Sequence, residues 1–377
     1  MNKELLAEIA HLYGTPAYVY DLDTVSRRYR LLEKHFAGMP VDIHYAVKAN
    51  FHPAVLTHLR ELGAGVDCVS VHEVERALEM GFEPSQILFT PACPSLDELA
   101  YGLAQGVKVH VGSLEYLEDV ARAFPGRPVG LRINPGIEGG GNTKISTAHS
   151  RSKFGIPWAY RDRLFELLDR HRIPVEGLHV HIGSDVHSWH DLAKGVDFLT
   201  EIASRFSGLR YLDFGSGFKI PYRPGEPEMD VAAYAAYIRK KMQDFPSLRV
   251  KIEPGKFLVA PAGVFLMQVQ VVKQTPGGLI AGVNTGFNHM LRPMYYGAYH
   301  HLENLSERGG QKKTYDIVGH LCEEDTFARH REMYEIQAGD ILAMYHAGAY
   351  GYVMASHYNL HPLPKEIIIQ GKKVWEG

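Results

Sequence analysis

The sequence predicts an α/β protein, a (β/α)8 barrel of the TIM type followed by a mostly antiparallel β domain. Two observations carry this. Eight short runs rich in Val and Ile alternate with amphipathic stretches over roughly 220 residues. After Pro254 the alternation stops, and β-like segments follow one another without regular helices between them. An open doubly wound sheet would suit fewer strands and a Gly-rich first turn. The first turn here reads Lys48-Ala49-Asn50 and holds no phosphate loop.

The elements follow in chain order. A short strand over 17–20 precedes the barrel and is free to pair with the later β domain. Barrel strands are predicted over 41–47, 66–69, 87–90, 107–111, 129–133, 177–182, 211–214 and 248–252, most followed by Gly, Asn, Ser or Pro. Helices are predicted over 71–80, 96–105, 114–123, 161–170, 189–205 and 231–243, where apolar residues recur every three or four positions. Beyond the barrel, 257–274, 315–318, 341–345 and 366–369 read as strands. The expected domains are therefore a barrel over 26–255 and a β-rich domain made of 1–25 plus 256–377.

Composition narrows the function. A net charge of -3 and the absence of basic runs give no sign of a nucleic-acid partner. No stretch approaches 18 consecutive apolar residues, so no membrane span is expected. The opening MNKELLAEIAHLYG lacks the apolar centre of a signal peptide. Three scattered cysteines (Cys68, Cys93, Cys322) suit a reducing cytoplasm better than a disulfide framework.

Catalytic groups of a (β/α)8 enzyme stand at the C-terminal ends of its strands. Those ends carry Lys48, Asp67, Arg132, His179 with His181, Gly215-Ser216-Gly217, and Glu253. A lysine at the end of an apolar run is costly unless paired or used, and desolvation makes its amine a nucleophile for a Schiff base. Gly215-Ser216-Gly217 and Pro254-Gly255-Lys256 end neighbouring strands in turns whose backbone N–H groups can cradle one phosphate. Glu253 stands where a carboxylate could bond a pyridine nitrogen and keep the ring an electron sink. His179 and His181, two apart on one strand, share a face. They suit a metal pair, yet no later strand end supplies a further His, so a site without metal is favoured. One of the two rings is expected to stack on a planar cofactor. Cys322 lies among polar residues in GHLCEEDTF, a setting for a proton donor rather than a buried thiol.

The motifs YAVKAN, SKFGI, HVHIGSD, LDFGSGF, EPGK, NHMLRPMYYGAYH, CEEDTF and GAYGYVMASHYN occur in this order. Together they resemble the alanine-racemase-type pyridoxal-phosphate decarboxylases over nearly the whole chain. The resemblance implies that Lys48 carries pyridoxal 5'-phosphate covalently. It implies that His181 stacks on the pyridine ring, Glu253 holds its nitrogen, and Asp67 belongs to the cofactor site. Ser184, Gly215, Gly217, Gly255 and Tyr350 are implied around the phosphate. Cys322 resembles the acid that returns a proton to the substrate, supplied by a second subunit. Arg292 and Tyr296 resemble the grip on a distal carboxylate and Glu323 the contact to a distal amine, with Lys256 and Tyr350 also at the substrate. A cytoplasmic homodimer with shared active sites follows from the same resemblance. The implied reaction is decarboxylation of meso-2,6-diaminopimelate to L-lysine. The alternative is another amino acid with a distal carboxylate, as in siderophore or carboxynorspermidine-type polyamine synthesis. A non-catalytic cofactor-binding homologue is disfavoured because both Lys48 and Cys322 are present. Three departures bear on the substrate. EPGR reads EPGK, so Lys256 replaces a forked guanidinium. CESGD reads Cys322-Glu323-Glu324-Asp325, and SNYNSR reads with His357 and His361.

Overall fold

The computed structural model describes residues 1–137, 149, 151–306 and 309–377. It divides into a barrel unit, Arg28–Ile220 with Pro227–Phe257, and a β unit, Met1–Arg27, Pro221–Glu226 and Leu258–Gly377.

Strand β1 (Ala17–Asp21) belongs to the β unit. The barrel strands are β2 (Val41–Ala46), β3 (Gly65–Cys68), β4 (Ile87–Phe89), β5 (Lys108–Val111) and β6 (Val129–Asn134), then β8 (Val175–His179), β9 (Tyr211–Asp213) and β10 (Arg249–Ile252). A two-residue strand, β7 (Ile156–Pro157), lies beside β6. All pairings in this sheet are parallel, in the order β5-β4-β3-β2-β10-β9-β8-β6, and β5 pairs with β6 to close the ring. The predicted barrel is thus observed. Serines start several of the helices between its strands: Ser70, Ser95, Ser113 and Ser188 each accept a hydrogen bond from an N–H of the first turn.

His110 and Tyr211 are buried in the barrel unit, and two strand glycines make room for them. A Cβ on Gly177 would stand 2.1 Å from the Tyr211 ring, and one on Gly130 would stand 2.2 Å from His110. Side chains there would expel the two rings that fill the barrel's middle.

In the β unit, β11 (Gly263–Thr275), β12 (Gly278–Val283), β13 (Leu302–Asn304), β14 (Lys312–Val318), β15 (Thr326–Tyr334), β16 (Ile341–Tyr345), β17 (Lys365–Gln370) and β18 (Lys373–Glu376) form one sheet with β1. The order is β15-β14-β12-β11-β1-β17-β18, with β16 on β11 and β13 on β16. The N-terminal strand is central: β1 runs antiparallel to β11 and parallel to β17. Leu6 and Ile9 of the first helix, Lys3–Tyr13, pack with Val19, Val264, Leu266 and Ile367 to form this unit's core.

Three features differ from the sequence expectation. Helices also form over Lys3–Tyr13, Leu22–Phe36 and Pro53–Glu61, which the sequence reading does not assign. The strand expected from 257 begins only at Gly263, after a helical turn over Lys256–Val259 and a second turn containing Pro261. β8 ends at His179, so His181 lies in the following loop and not on the strand. Val180 N–H still donates to Asp213 O at 3.0 Å, and beyond it the chain leaves the ladder. No helix among the described residues is long and apolar enough to cross a membrane.

Candidate active site

In the barrel unit, β2 ends at Ala46 and the chain tightens into a single 3-10 turn, Val47–Ala49, that presents Lys48. The Lys48 Nζ lies 2.7 Å from Asp67 Oδ2 on the neighbouring β3. Asp67 is buried, and burial followed by the charge of Glu253 raises its pKa while Lys48 opposes the rise. Lys48 therefore offsets part of the cost of burying Asp67.

Loops after three further strands, β8, β9 and β10, come together. Gly215 has φ 61 and Gly217 φ 129, conformations open to glycine. A Cβ on Gly215 would strike His181 Nδ1 at 2.6 Å, and one on Gly217 would strike Gly183 O at 2.3 Å. The turn after β9 thus lies directly on the loop that carries His181 and Ser184. The Ser216 N–H points at His181 Nδ1, 3.4 Å away. The turn after β10 closes on the first: Ala46 N–H donates to Pro254 O, and Gly255 packs on Ala46 and Ala49. Burial, with the Arg132 charge adding to it, pushes the pKa of His181 down to about 3, so its ring is neutral.

Glu253 follows β10 and is 7 % exposed. Its Oε1 is buried without a hydrogen-bond partner. A pyridoxal phosphate fits this donor set. The site offers a lysine amine, a buried carboxylate oxygen in need of a donor, a neutral imidazole, and two glycine turns whose N–H groups suit an anion.

His110, Asp213 and Glu253 also bring one potential ligand atom each within 4.8 Å of one another. Both ring nitrogens of His110 are already engaged, Nδ1 with Thr90 Oγ1 and Nε2 with the Tyr211 hydroxyl, each at 2.9 Å. The trio reads as part of a buried network and not as a ligand set.

Lys256, expected at the substrate, stands in the turn after β10. It is buried, and its ammonium is ion-paired with Asp185 of the HVHIGSD segment. Sequence reasoning passed over Asp185, although the residue stands inside a quoted motif.

The β unit carries the remaining candidates. Arg292 opens the short helix Arg292–Tyr296 and is buried. Its Nη2 donates to the Tyr222 hydroxyl at 3.2 Å and its Nε to His300 at 3.3 Å, and its guanidinium lies 5.9 Å from the centre of the Tyr296 ring. Cys322 is exposed. Asn359 Nδ2 donates to its sulfur at 3.4 Å, the Tyr358 hydroxyl lies 3.6 Å from it, and that hydroxyl donates to Glu323 Oε1 at 2.6 Å. These hydrogen bonds, Asn359 first, lower the thiol's pKa. Tyr358 and Asn359 were also missed, and their signal was their place between His357 and His361. Tyr350, at φ 55, lies in a loop packed on the start of β11, where Gly348 approaches Gly263.

Comparison with known proteins assigns the family. The model for the pyridoxal-dependent decarboxylase, pyridoxal binding domain, matches residues 22–260. The chain is 36% identical to a diaminopimelate decarboxylase of Methanothermobacter thermautotrophicus, over 97% of this chain and 89% of the relative. It is 34% identical to one of Pseudomonas fluorescens, over 98% and 91%. The crystal structure of the Helicobacter pylori diaminopimelate decarboxylase complexed with L-lysine superposes with a TM-score of 0.91 at 29% identity, covering 98% of this chain and 95% of that one. The chain belongs to the pyridoxal-dependent decarboxylases.

Proposed function

We propose that this protein decarboxylates meso-2,6-diaminopimelate to L-lysine with pyridoxal 5'-phosphate. The observation that carries the reading is similarity over nearly the full length to diaminopimelate decarboxylases, at 36% identity in one case. The cofactor supplies the electron sink for the carbanion left when CO₂ departs. The protein's share is attachment, orientation and proton delivery.

Lys48 is the attachment point, and Asp67 keeps its amine in place. Glu253 accepts from the ring nitrogen, and the neutral His181 ring stacks on the ring face. Ser184, the turns at Gly215, Gly217 and Gly255, and Tyr350 bind the phosphate. Arg292, oriented by Tyr222 and His300 and flanked by Tyr296, takes the distal carboxylate, and Glu323 takes the distal amine. Cys322 returns the proton to Cα. A thiol that already accepts from Asn359 gives up its proton more readily, as a donor acid must.

The same reading includes a homodimer with shared sites. Cys322 and Glu323 stand on an exposed loop, and Leu360 beside them is 94% exposed at φ 58, a left-handed conformation that leucine rarely adopts. In that dimer they complete the site of the second copy. The cytoplasm suits three unpaired cysteines.

The test is product analysis. Purified protein loaded with cofactor and given meso-2,6-diaminopimelate should release one CO₂ and one L-lysine per turnover. Absence of lysine, with the cofactor bound, would reject this substrate.

A further inference from the structure

Among the described residues, no carboxylate pairs with the buried Arg292 of the β unit, which is 5 % exposed. Its hydrogen bonds go instead to two uncharged groups. The Nε–H donates to His300 Nε2 at 3.3 Å, and Nη2 donates to the Tyr222 hydroxyl at 3.2 Å. A buried charge is costly unless it is paired or used, and neither of these partners neutralises it.

His300 is fixed as an acceptor. It is buried, on the segment that leads into β13. Its Nδ1 lies 2.9 Å from the carbonyl oxygen of Tyr345, the last residue of β16. A carbonyl only accepts, so Nδ1 carries the ring proton and Nε2 is left bare toward Arg292. Burial, then the Arg292 charge, push the His300 pKa down to about 3, so the imidazole is uncharged at neutral pH. The Tyr222 ring stands edge-on to it with centroids 5.1 Å apart, which packs the two acceptors against each other.

We infer that His300 is a positioning residue that sets specificity: with Tyr222 it holds Arg292 through bonds that leave its positive charge intact for an incoming carboxylate. A glutamate in its place would hold the guanidinium as firmly and cancel that charge. The Nε–H and one Nη2–H are spent on the two acceptors. Both N–H groups of Nη1 and one of Nη2 remain, a set that can fork end-on onto a single carboxylate. The inference deepens the reading of Arg292 as the grip on the distal carboxylate and rests on it.

The experiment uses purified, cofactor-loaded wild type, H300Q, H300L, H300E and R292A, with H300L also on the R292A background. Three quantities are read: the dissociation constant of meso-2,6-diaminopimelate, from the change it makes in the visible absorbance; the split between KM and kcat; and the dissociation constant of 1,5-diaminopentane, a diamine without a carboxylate. H300L should weaken diaminopimelate binding about 10-fold or more, as loss of a hydrogen bond to a charged group does. Its kcat should stay within about three-fold of wild type. H300Q keeps an uncharged acceptor and should recover most of the loss. H300E should bind diaminopimelate at least as weakly as H300L, although it restores an acceptor. The diamine should bind every variant as it binds wild type. On the R292A background, H300L should add less than about two-fold, because both changes break one linkage.

Tighter diaminopimelate binding by H300E than by H300Q would overturn the inference, because an acceptor alone would then suffice. Equal weakening of the diamine would overturn it as well, since the effect would be structural. R292A with wild-type affinity would remove the distal-carboxylate reading and the inference with it. A loss in R292A beside wild-type affinity in H300L would remove the inference alone. If H300L fails to fold by thermal melt, the order of H300Q and H300E decides in the same way.

Discussion

The two units solve the problem of functional polarity in opposite ways. In the barrel, Asp67, His179, Asp213 and Glu253 are buried at or beyond strand ends. Part of that cost is met by neighbours: Lys48 for Asp67 and the Gly215 N–H for Asp213. In the β unit, Arg292 is buried in the same manner, but Cys322 and Glu323 stand exposed on a loop, tied to Tyr358 and Asn359 of another exposed loop. The barrel groups are pre-organised by packing. The loop groups are organised by three or four hydrogen bonds that water can contest. Changes in the barrel should therefore remove function outright, and changes in the loops should grade it.

Lys48→Ala should show the largest effect. It should abolish the visible absorbance of the bound cofactor and reduce turnover to background; an unchanged spectrum would remove Lys48 from its role. Cys322→Ala should bind cofactor with a normal spectrum and lose about 10²- to 10⁴-fold in kcat, the usual worth of a positioned acid. Unaltered kcat would leave the exposed loop without a catalytic part. Arg292→Ala forfeits charge-assisted contacts worth about 1.5–3 kcal/mol, or about 10- to 100-fold in kcat/KM for a substrate with a distal carboxylate. Cofactor affinity should not change; if it does, Arg292 is structural.

The smallest effect concerns stability and a half-buried carboxylate away from the chemistry. Glu366 of β17 accepts from the Tyr20 hydroxyl at 2.8 Å, and burial raises its pKa from 4.5 to about 7. Because the folded pKa lies above the unfolded one, the fold binds this proton more tightly. Its contribution is full below about pH 4.5 and is lost as pH rises through about 7. Glu366→Gln removes that loss and should stabilise the protein by about 1–3 kcal/mol at pH 8, with no gain near pH 5, measured by denaturant unfolding. A gain independent of pH would show that packing, not charge, is the cause.

Much of this arrangement was legible in the sequence for physical reasons. A lysine closing HYAVK and a glutamate opening EPGK are polar residues at the ends of apolar runs, and such residues must be paired or used. The barrel followed from strand–helix alternation, and the place of β1 from its lying outside that alternation. What stayed hidden depends on close approach between distant segments. The ring stack of His179 on His110 needs Gly130 and Gly177 to be small, a relation with no local signature. The capture of Lys256 by Asp185 spans 71 positions, and the grip of Asn359 on Cys322 spans 37. His181 was assigned to a strand because its run is apolar, yet the ladder stops at His179, where the chain must turn toward the site.

The central claim is that this chain selects a substrate with a distal carboxylate. The most direct measurement is the ratio of kcat/KM for meso-2,6-diaminopimelate over L-lysine, with ornithine, arginine and carboxynorspermidine beside them. A strong preference for diaminopimelate that falls about 10-fold or more in Arg292→Ala is the predicted result. Equal or better turnover of lysine or ornithine by the wild type would contradict it.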